Sequence, residues 1–294
     1  MDDLRVIVGA ASDAGAVREQ NEDALYVADP MVDPVPDNGL LLALADGMGG
    51  YQRGEVASQL AIETLREVYY AEPVGPTDIP QRLKRAFRTA NERIFAGGSA
   101  AGEENMMGTT LVAAVIRGVD LTVANVGDSR AYLVRAKRAT QGTRDHSLVA
   151  EQVAAGTMTE TEARESQHRN IITRALGHRE RVDVDIFEIR LLPDDRLLLT
   201  SDGLHDYVTE DELVSVVLDK RPEEAARELV NLALAHESND NVSAVVAWMA
   251  PVGAELEAVP AEAAPSAGGN LLLMIILTAL VVFVAIIAVV LYLA

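Results

Sequence analysis

Four aspartates stand at the ends of apolar runs in this chain. Leu40-Leu-Leu-Ala-Leu-Ala delivers Asp46 into Gly47-Met48-Gly49-Gly50, and Arg196-Leu-Leu-Leu-Thr-Ser delivers Asp202 beside Gly203. Val123-Ala-Asn-Val-Gly127 leads into Asp128, and Asn239-Asp240-Asn241 precedes the run Val242 to Trp248. A carboxylate at the mouth of a hydrophobic strand loses hydration unless something pairs with it. One Asp-Gly step is most often only a turn. Four such positions, with no matching cations in the flanking sequence, favour hard divalent metals held by oxygen ligands. The chain has no cysteine and only 5 histidines, so magnesium or manganese suits it better than zinc. Carboxylates alone do not name a reaction.

The elements that position these residues follow from hydrophobic periodicity. Strands are expected at Val6 to Ala11, Ala24 to Ala28, Leu40 to Ala45, Thr110 to Ile116, Leu121 to Val126, Ala131 to Val134, Val184 to Ile189, Arg196 to Thr200 and Val242 to Trp248. Several are near-continuous apolar runs bounded by Gly, Asp or Pro, as suits strands buried on at least one face. Helices are expected at Gly54 to Tyr70, Pro80 to Phe95, Leu148 to Ala155, Glu210 to Leu218 and Pro222 to Ala235. The last opens Pro222-Glu223-Glu224, a proline and two acids in a first turn. Helices fall in pairs between groups of strands, which favours an α+β layered fold over a doubly wound parallel one.

Composition bounds the function. Among 294 residues, 25 Lys plus Arg stand against 45 Asp plus Glu, a formal charge of -20. That excess argues against general binding to nucleic acid, whose affinity rests on cations laid against phosphates. Without cysteine there are no disulfides, thiolate metal sites or cysteine nucleophiles. Residues 271–294 carry no charge and no proline. As a helix at 1.5 Å per residue they would span roughly 36 Å, enough to cross a hydrocarbon core with some tilt. Residues 250–270, rich in Ala, Pro, Glu and Gly, read as a flexible linker. The amino-terminal residues lack the basic and apolar regions of a signal peptide. The expectation is a catalytic domain over 1–249, a linker, and a single-pass tail anchor in the cell membrane with the domain in the cytoplasm.

Taken in order, the motifs become familiar. Ser12-Asp13-Ala-Gly15-Ala-Val-Arg18-Glu-Gln-Asn21-Glu22-Asp23, Asp46-Gly-Met-Gly-Gly50, Gly54-Glu-Val-Ala-Ser58, Gly108-Thr-Thr-Leu-Val-Ala-Ala, Val126-Gly-Asp-Ser-Arg-Ala-Tyr132, Thr200-Ser-Asp-Gly-Leu204 and Asn239-Asp-Asn-Val-Ser243 resemble the metal-dependent Ser/Thr protein phosphatases of the protein phosphatase 2C (PPM) family, in its bacterial branch. The resemblance covers nearly all of residues 5–249. It implies a four-layer αββα sandwich of two antiparallel sheets flanked by helix pairs, to which the C-terminal transmembrane helix is added. It also implies two or three Mn2+ or Mg2+ ions. Asp46 would bridge two ions, with the Gly47 carbonyl on one and Asp202 and Asp240 on the other. Asp128, with Asp202 and Asp206, matches a third metal site. Arg18 would grip the substrate phosphate, while Glu22 and Asp23 would hold metal-bound water. The implied partners are phosphorylated proteins, Ser/Thr kinases and their substrates among them.

One departure and one segment add detail. Animal relatives carry a histidine where this chain has Met48, which cannot donate a proton; a metal-bound water could serve in its place, and His205, close in sequence to Asp202 and Asp206, is another candidate. Residues 144–181 correspond to a flap beside the active site in the family. Between residues 166 and 181, Arg169, Arg174, Arg179 and Arg181 face only Glu180, so this stretch is expected to contact phosphopeptides on either side of the phosphoresidue. The rival readings are a pseudophosphatase that binds without turnover and a phosphatase dedicated to a single regulatory protein. Loss of a metal aspartate would mark the first, and Asp46, Asp202 and Asp240 are all present.

Overall fold

A computed structural model describes residues 5–49, 53–71, 78–100 and 107–251. The linker and membrane-spanning segment expected beyond residue 251 lie outside the described residues, as does Gly50. No helix among the described residues is long and apolar enough to cross a membrane.

The chain runs β1 (Arg5–Asp13), β2 (Asp23–Val27), α1 (Val35–Asn38), β3 (Leu40–Met48), α2 (Arg53–Tyr70), α3 (Ile79–Ala100), β4 (Gly108–Thr109), β5 (Leu111–Arg117), β6 (Asp120–Val126), β7 (Arg130–Arg135) and β8 (Arg138–Gln141). It continues through α4 (Leu148–Ala154), α5 (Glu160–Glu165), β9 (Asp185–Arg190), β10 (Arg196–Thr200), α6 (Asp202–His205), α7 (Glu210–Asp219), α8 (Pro222–Ala235) and β11 (Val242–Ala250). One sheet has the order β1-β11-β10-β7-β8 and the other β2-β3-β5-β6-β9, with β4 added beside β3; every pairing is antiparallel.

Alternation along β3 shows why the apolar runs are unbroken. Leu42 and Leu44 point into the space between the sheets, where they meet Val112, Val123, Leu197, Leu199 and Val245. Leu41, Ala43 and Ala45 point the other way, against Leu65 of α2 and Leu83 and Phe87 of α3. A strand with period two needs both sets apolar only when both its faces are covered. On the far side, α7 and α8 cover the other sheet through Leu213, Val217 and Leu229 against Tyr132, Leu198 and Val246. The result is the expected four layers, helix pair, sheet, sheet, helix pair.

Several boundaries differ from the periodic reading. β3 does not stop at Ala45 but runs through Asp46 and Gly47 to Met48, because Asp46 pairs with Asp23 of β2 and β4 pairs with Gly47 and Met48. β11 extends to Ala250, the first residue assigned to the linker. The hairpin partner β8 was not expected at all. Its two-residue turn has Ala136 and Lys137 at φ 50° and 62°, the left-handed pair that a tight hairpin requires, without the glycine or asparagine that usually signals it.

Phe87 is fully buried between α2 and the sheet that contains β3. Phe87→Ala is expected to lower unfolding stability by about 3–5 kcal/mol, read as a shift of the denaturant midpoint. A loss below about 1 kcal/mol would show that this layer is not part of the cooperative core.

Candidate active site

The acidic residues converge where the two sheets end together. Asp46 sits opposite Asp23 across β3 and β2, and Asp202, Asp128 and Asp240 arrive from the ends of β10, β6 and the turn before β11. Burial pushes the Asp46 carboxyl well above the ordinary range, and repulsion from Asp23, Asp202, Asp128 and Asp240 adds to it. The same causes, burial first, push Asp23 up to about 7, Asp128 to about 8 and Asp202 to about 6. Such a set of neighbours cannot all ionise without a counter-charge.

The backbone around Asp46 is held by threonines. The Asp46 N–H donates to Thr110 Oγ1 at 3.0 Å, and its carbonyl accepts from Thr109 Oγ1 at 2.8 Å and from the Thr110 N–H at 2.9 Å. Thr110 Oγ1 in turn bonds Ser129 Oγ at 2.7 Å, tying Asp46 to the Gly127-Asp128-Ser129 turn. Gly47 is required by close approach: a Cβ there would meet Gly54 O at 2.3 Å and Glu22 O at 2.6 Å. A Cβ at Gly203 would lie 2.1 Å from Asn241 O, so the turn after β10 and the turn before β11 are packed backbone to backbone.

Residues 14–22 reach the cluster through one amide that the sequence reading left without a role. Asn241 donates from Nδ2 to the carbonyls of Ala14 and Gln20, both at 2.9 Å, and accepts the Glu22 N–H on Oδ1 at 2.8 Å. The staple places Arg18 Nη2 2.6 Å from Asp240 Oδ2. It also places Glu22 against the start of α2, where the Gly54 N–H donates to its carboxylate; burial raises the Glu22 pKa, and Arg18 opposes the rise. The only signal of this role in the sequence is the Asn-Asp-Asn run itself.

The outer part of the cluster differs from expectation. Asp206 lies at its edge, its carboxylate 3.4 Å from Arg169 of the flap. A half-buried cation does stand near Asp128: Arg130, committed to Asp145 Oδ2 at 2.7 Å and to the Tyr132 hydroxyl at 2.8 Å. His205 is not a surface histidine. Its side chain is 2% exposed, Nδ1 bonds Thr200 Oγ1 at 2.9 Å, and burial together with the Arg130 charge holds its pKa well below the ordinary value. A neutral imidazole in that setting is a poor proton donor, so the structure removes His205 as the general acid. The flap arginines divide into two kinds: Arg169 and Arg174 are bound by Asp206 and Asp185, whereas Arg179 and Arg181 make no ion pair among the described residues.

The donor set fits divalent ions. Every candidate ligand is a hard oxygen, and both carboxylate oxygens of Asp23 are buried with no hydrogen-bond partner among the described residues. The Ser201 and Ser243 hydroxyls nearest to it are engaged with the Asn241 carbonyl and with Ser12. No group of three His, Asp or Glu side chains among the described residues is gathered tightly enough to hold an ion, and Asp240 is paired with Arg18. Two ions that also share a backbone carbonyl and water need only one or two of these carboxylates each.

Two antiparallel sheets between helix pairs, with oxygen donors pooled at one end, define the class of α+β metallohydrolases. The chain belongs to the protein phosphatase 2C family, whose sequence model matches residues 8–152 and 173–242. It is 40% identical over 239 residues to the serine/threonine protein phosphatase PstP of Mycobacterium tuberculosis, covering 81% of this chain and 44% of that protein. It thus spans less than half the length of that relative. It is 34% identical to the serine/threonine phosphatase stp of Listeria monocytogenes, covering 80% of this chain and 92% of that one. The crystal structure of the PstP catalytic domain in complex with two manganese ions superposes with a TM-score of 0.71 at 38% identity, over 83% of this chain and 98% of that one.

The raised carboxyl pKa values carry a stability consequence. An aspartate whose pKa is higher folded than unfolded stabilises the fold below its unfolded pKa, near 4, and loses that contribution as pH rises through the folded value. With chelator present, the melting temperature should therefore fall between pH 6.5 and 8, through the values of Asp23 and Asp128. The buried neutral histidines His146 and His205 act in the opposite sense only below about pH 6.5. Manganese should restore more at pH 8 than at pH 6.5; a flat or rising chelated profile would contradict the cluster.

Proposed function

We propose that this chain is a manganese- or magnesium-dependent protein-serine/threonine phosphatase that hydrolyses phosphoserine and phosphothreonine in proteins and so opposes Ser/Thr kinases. The observation that carries this reading is the burial of mutually repelling aspartates around Asp46, with Arg18 standing at their rim.

Asp46, the Gly47 carbonyl, Asp202 and Asp240 would hold two ions, and Asp128 with Asp202 and Asp206 a third. Such ions, when bound, lower the pKa of water toward neutrality and offset charge on phosphoryl oxygens. Arg18 presents a planar fork of donors that matches phosphate oxygens, and with its side chain 51% exposed it can turn from Asp240 to an incoming phosphate. Asp23, with two unpartnered oxygens, and Glu22, raised in pKa by burial, are placed to accept hydrogen bonds from water and orient it. Neither Met48, which has no proton to give, nor neutral His205 protonates the departing seryl or threonyl oxygen. The pseudophosphatase reading is not favoured, because the full set of aspartates is retained.

The uncharged run over residues 271–294 supports a single membrane-spanning helix that holds the domain at a membrane. Its substrates form where kinases find ATP, which supports a domain facing the cytoplasm. Membranes carrying the full chain should retain it through high salt and alkaline washing. Release by salt alone would remove the anchor.

The activity is tested with a phosphothreonine peptide. Phosphate release should require manganese or magnesium and stop with chelator. Asp46→Asn should lower kcat on the order of 10³-fold, and Arg18→Ala should lower kcat/KM about 10- to 100-fold. Release that survives both chelation and Asp46→Asn would overturn the assignment.

A further inference from the structure

The strand ends opposite the carboxylate cluster form one contiguous surface of turns. Arg5 begins β1 beside Ala250 at the end of β11, and Arg117 and Asp120 flank the turn from β5 to β6. Asp120 pairs with Arg190 at the end of β9, and the Leu191 N–H donates to the Val119 carbonyl at 2.8 Å. The Arg135 guanidinium, beside the turn from β7 to β8, donates to the Arg190 carbonyl at 2.8 Å. The chain has a net charge of -20, yet these turns carry an excess of cations among their described exposed residues. Arg5, Arg117, Lys137, Arg138 and Arg190 are exposed, and their side chains make no ion pair among the described residues. Against them stand exposed Asp29, Asp120 and Asp194.

Two apolar tips project from the same surface. Met31 is 91% exposed and Val32 67% in the loop from β2 to α1, and Leu192 is 48% exposed beside exposed Pro193, between β9 and β10. Each tip is held by a buried aspartate that also binds an arginine. Asp33 accepts the Asp29 N–H at 3.0 Å, the Tyr26 hydroxyl at 2.5 Å and Arg66 Nε at 2.9 Å. Asp195 accepts the Leu192 N–H at 2.8 Å and Arg135 Nη2 at 2.6 Å. A turn fixed in this way holds its apolar side chain out in solvent. Single exposed apolar residues are ordinary on a surface. Apolar tips set rigidly among unpaired cations match the interface of an anionic bilayer, which takes both kinds of group.

We propose that this end of the domain docks on an anionic lipid surface, its cations against phosphate headgroups and Met31 and Leu192 entering between them. The proposal rests on the membrane-anchor reading and adds an orientation to it. The chain leaves the domain through this end, since β11 runs from Val242, beside the carboxylate cluster, to Ala250, beside Arg5. About 20 residues of expected linker follow before the uncharged run, and a flexible chain of that length reaches roughly 25 Å. Tethering at that range makes weak attractions effective, and each Lys or Arg near an anionic surface strengthens attachment about fivefold. An acidic protein would satisfy the cations, but only a lipid surface also accounts for where the chain leaves. The 9 residues of β11, at about 3.3 Å each, would set the active site roughly 30 Å from the headgroups and facing away from them. Docking would thus select phosphoresidues at that height over those next to the membrane.

The single tryptophan of the chain, Trp248, lies in β11 at this end, with the Arg196 guanidinium 4.2 Å from its ring centroid. It reports docking by energy transfer to a dansyl-labelled lipid headgroup. Full-length protein is incorporated in vesicles of phosphatidylcholine, with or without about 30 mol% phosphatidylglycerol. Transfer should be about twofold higher on the anionic vesicles in about 0.1 M salt, and the difference should vanish in about 0.5 M salt. R117E/K137E/R138E should abolish the difference, and M31S/L192S should reduce it. Both variants change exposed turn residues only, and an unchanged circular dichroism spectrum verifies their fold. Flotation with phosphatidylcholine vesicles in high salt reads the anchor separately. Without an anchor, docking still appears as salt-sensitive co-flotation of the full chain with anionic vesicles, lost in R117E/K137E/R138E, so the two failures are distinguishable. Equal transfer on both lipids, or a difference that survives unchanged in either variant, would overturn the proposal.

Discussion

Repulsion among buried carboxylates governs the design of this domain. Burial disfavours the charged forms of Asp23, Asp46, Asp128 and Asp202, and the carboxylates that crowd them, Asp240 included, push their pKa values up further. Arg130, the half-buried cation near Asp128, is spent on Asp145, and Arg18 reaches Asp240 at the rim. A fold that concentrates negative charge in this way must oppose the tendency of the cluster to spread. The opposition comes from the backbone: Thr109 and Thr110 hold Asp46, Ser129 holds the Asp128 turn, and Asn241 holds residues 14–22. These are neutral hydrogen bonds, each modest in net free energy, yet each would leave a buried group unpaired if lost.

That arrangement explains the glycines at the site. Gly47, Gly54 and Gly203 are places where one backbone segment touches another that carries a carboxylate or its staple. A Cβ at Gly54 would strike the Glu22 carboxylate, and one at Gly203 would strike the Asn241 carbonyl. Only an absent side chain lets the strand ends approach closely enough for aspartates from distant parts of the sequence to share a site.

The layers of the fold were legible because each sheet is covered on both faces. Continuous apolar runs such as Leu40 to Ala45 therefore identified strands, and helix pairs were separated from them by period. The aspartates were legible as well, since each follows or precedes such a run. What stayed hidden depended on long-range packing. Asn241 acts on residues more than 200 positions away, and no local pattern reports that. β8 was missed because its turn uses Ala136 and Lys137 in a conformation those residues rarely adopt. Arg169, Arg174, Arg179 and Arg181 look equivalent in sequence, and only the positions of Asp206, Asp185 and Asn91 divide them into bound and free.

The same division gives the flap a defined root. His146, 3% exposed, accepts the Gly127 N–H on Nδ1 at 3.0 Å and donates its own N–H to the Gly127 carbonyl at 3.0 Å. Its carbonyl accepts from Thr173, and Leu148 donates to Ile171, so both ends of the flap are clasped at one point. Gly127 adjoins Asp128, and Asp185, which binds Arg174, lies 3.3 Å from His146 Nε2. Asp128, the flap root and Arg174 are thus neighbours along one path, from the Gly127 turn through His146 to Asp185. A long loop gains register from such a root, because its position is then referred to the carboxylate cluster and not to the bulk of the domain.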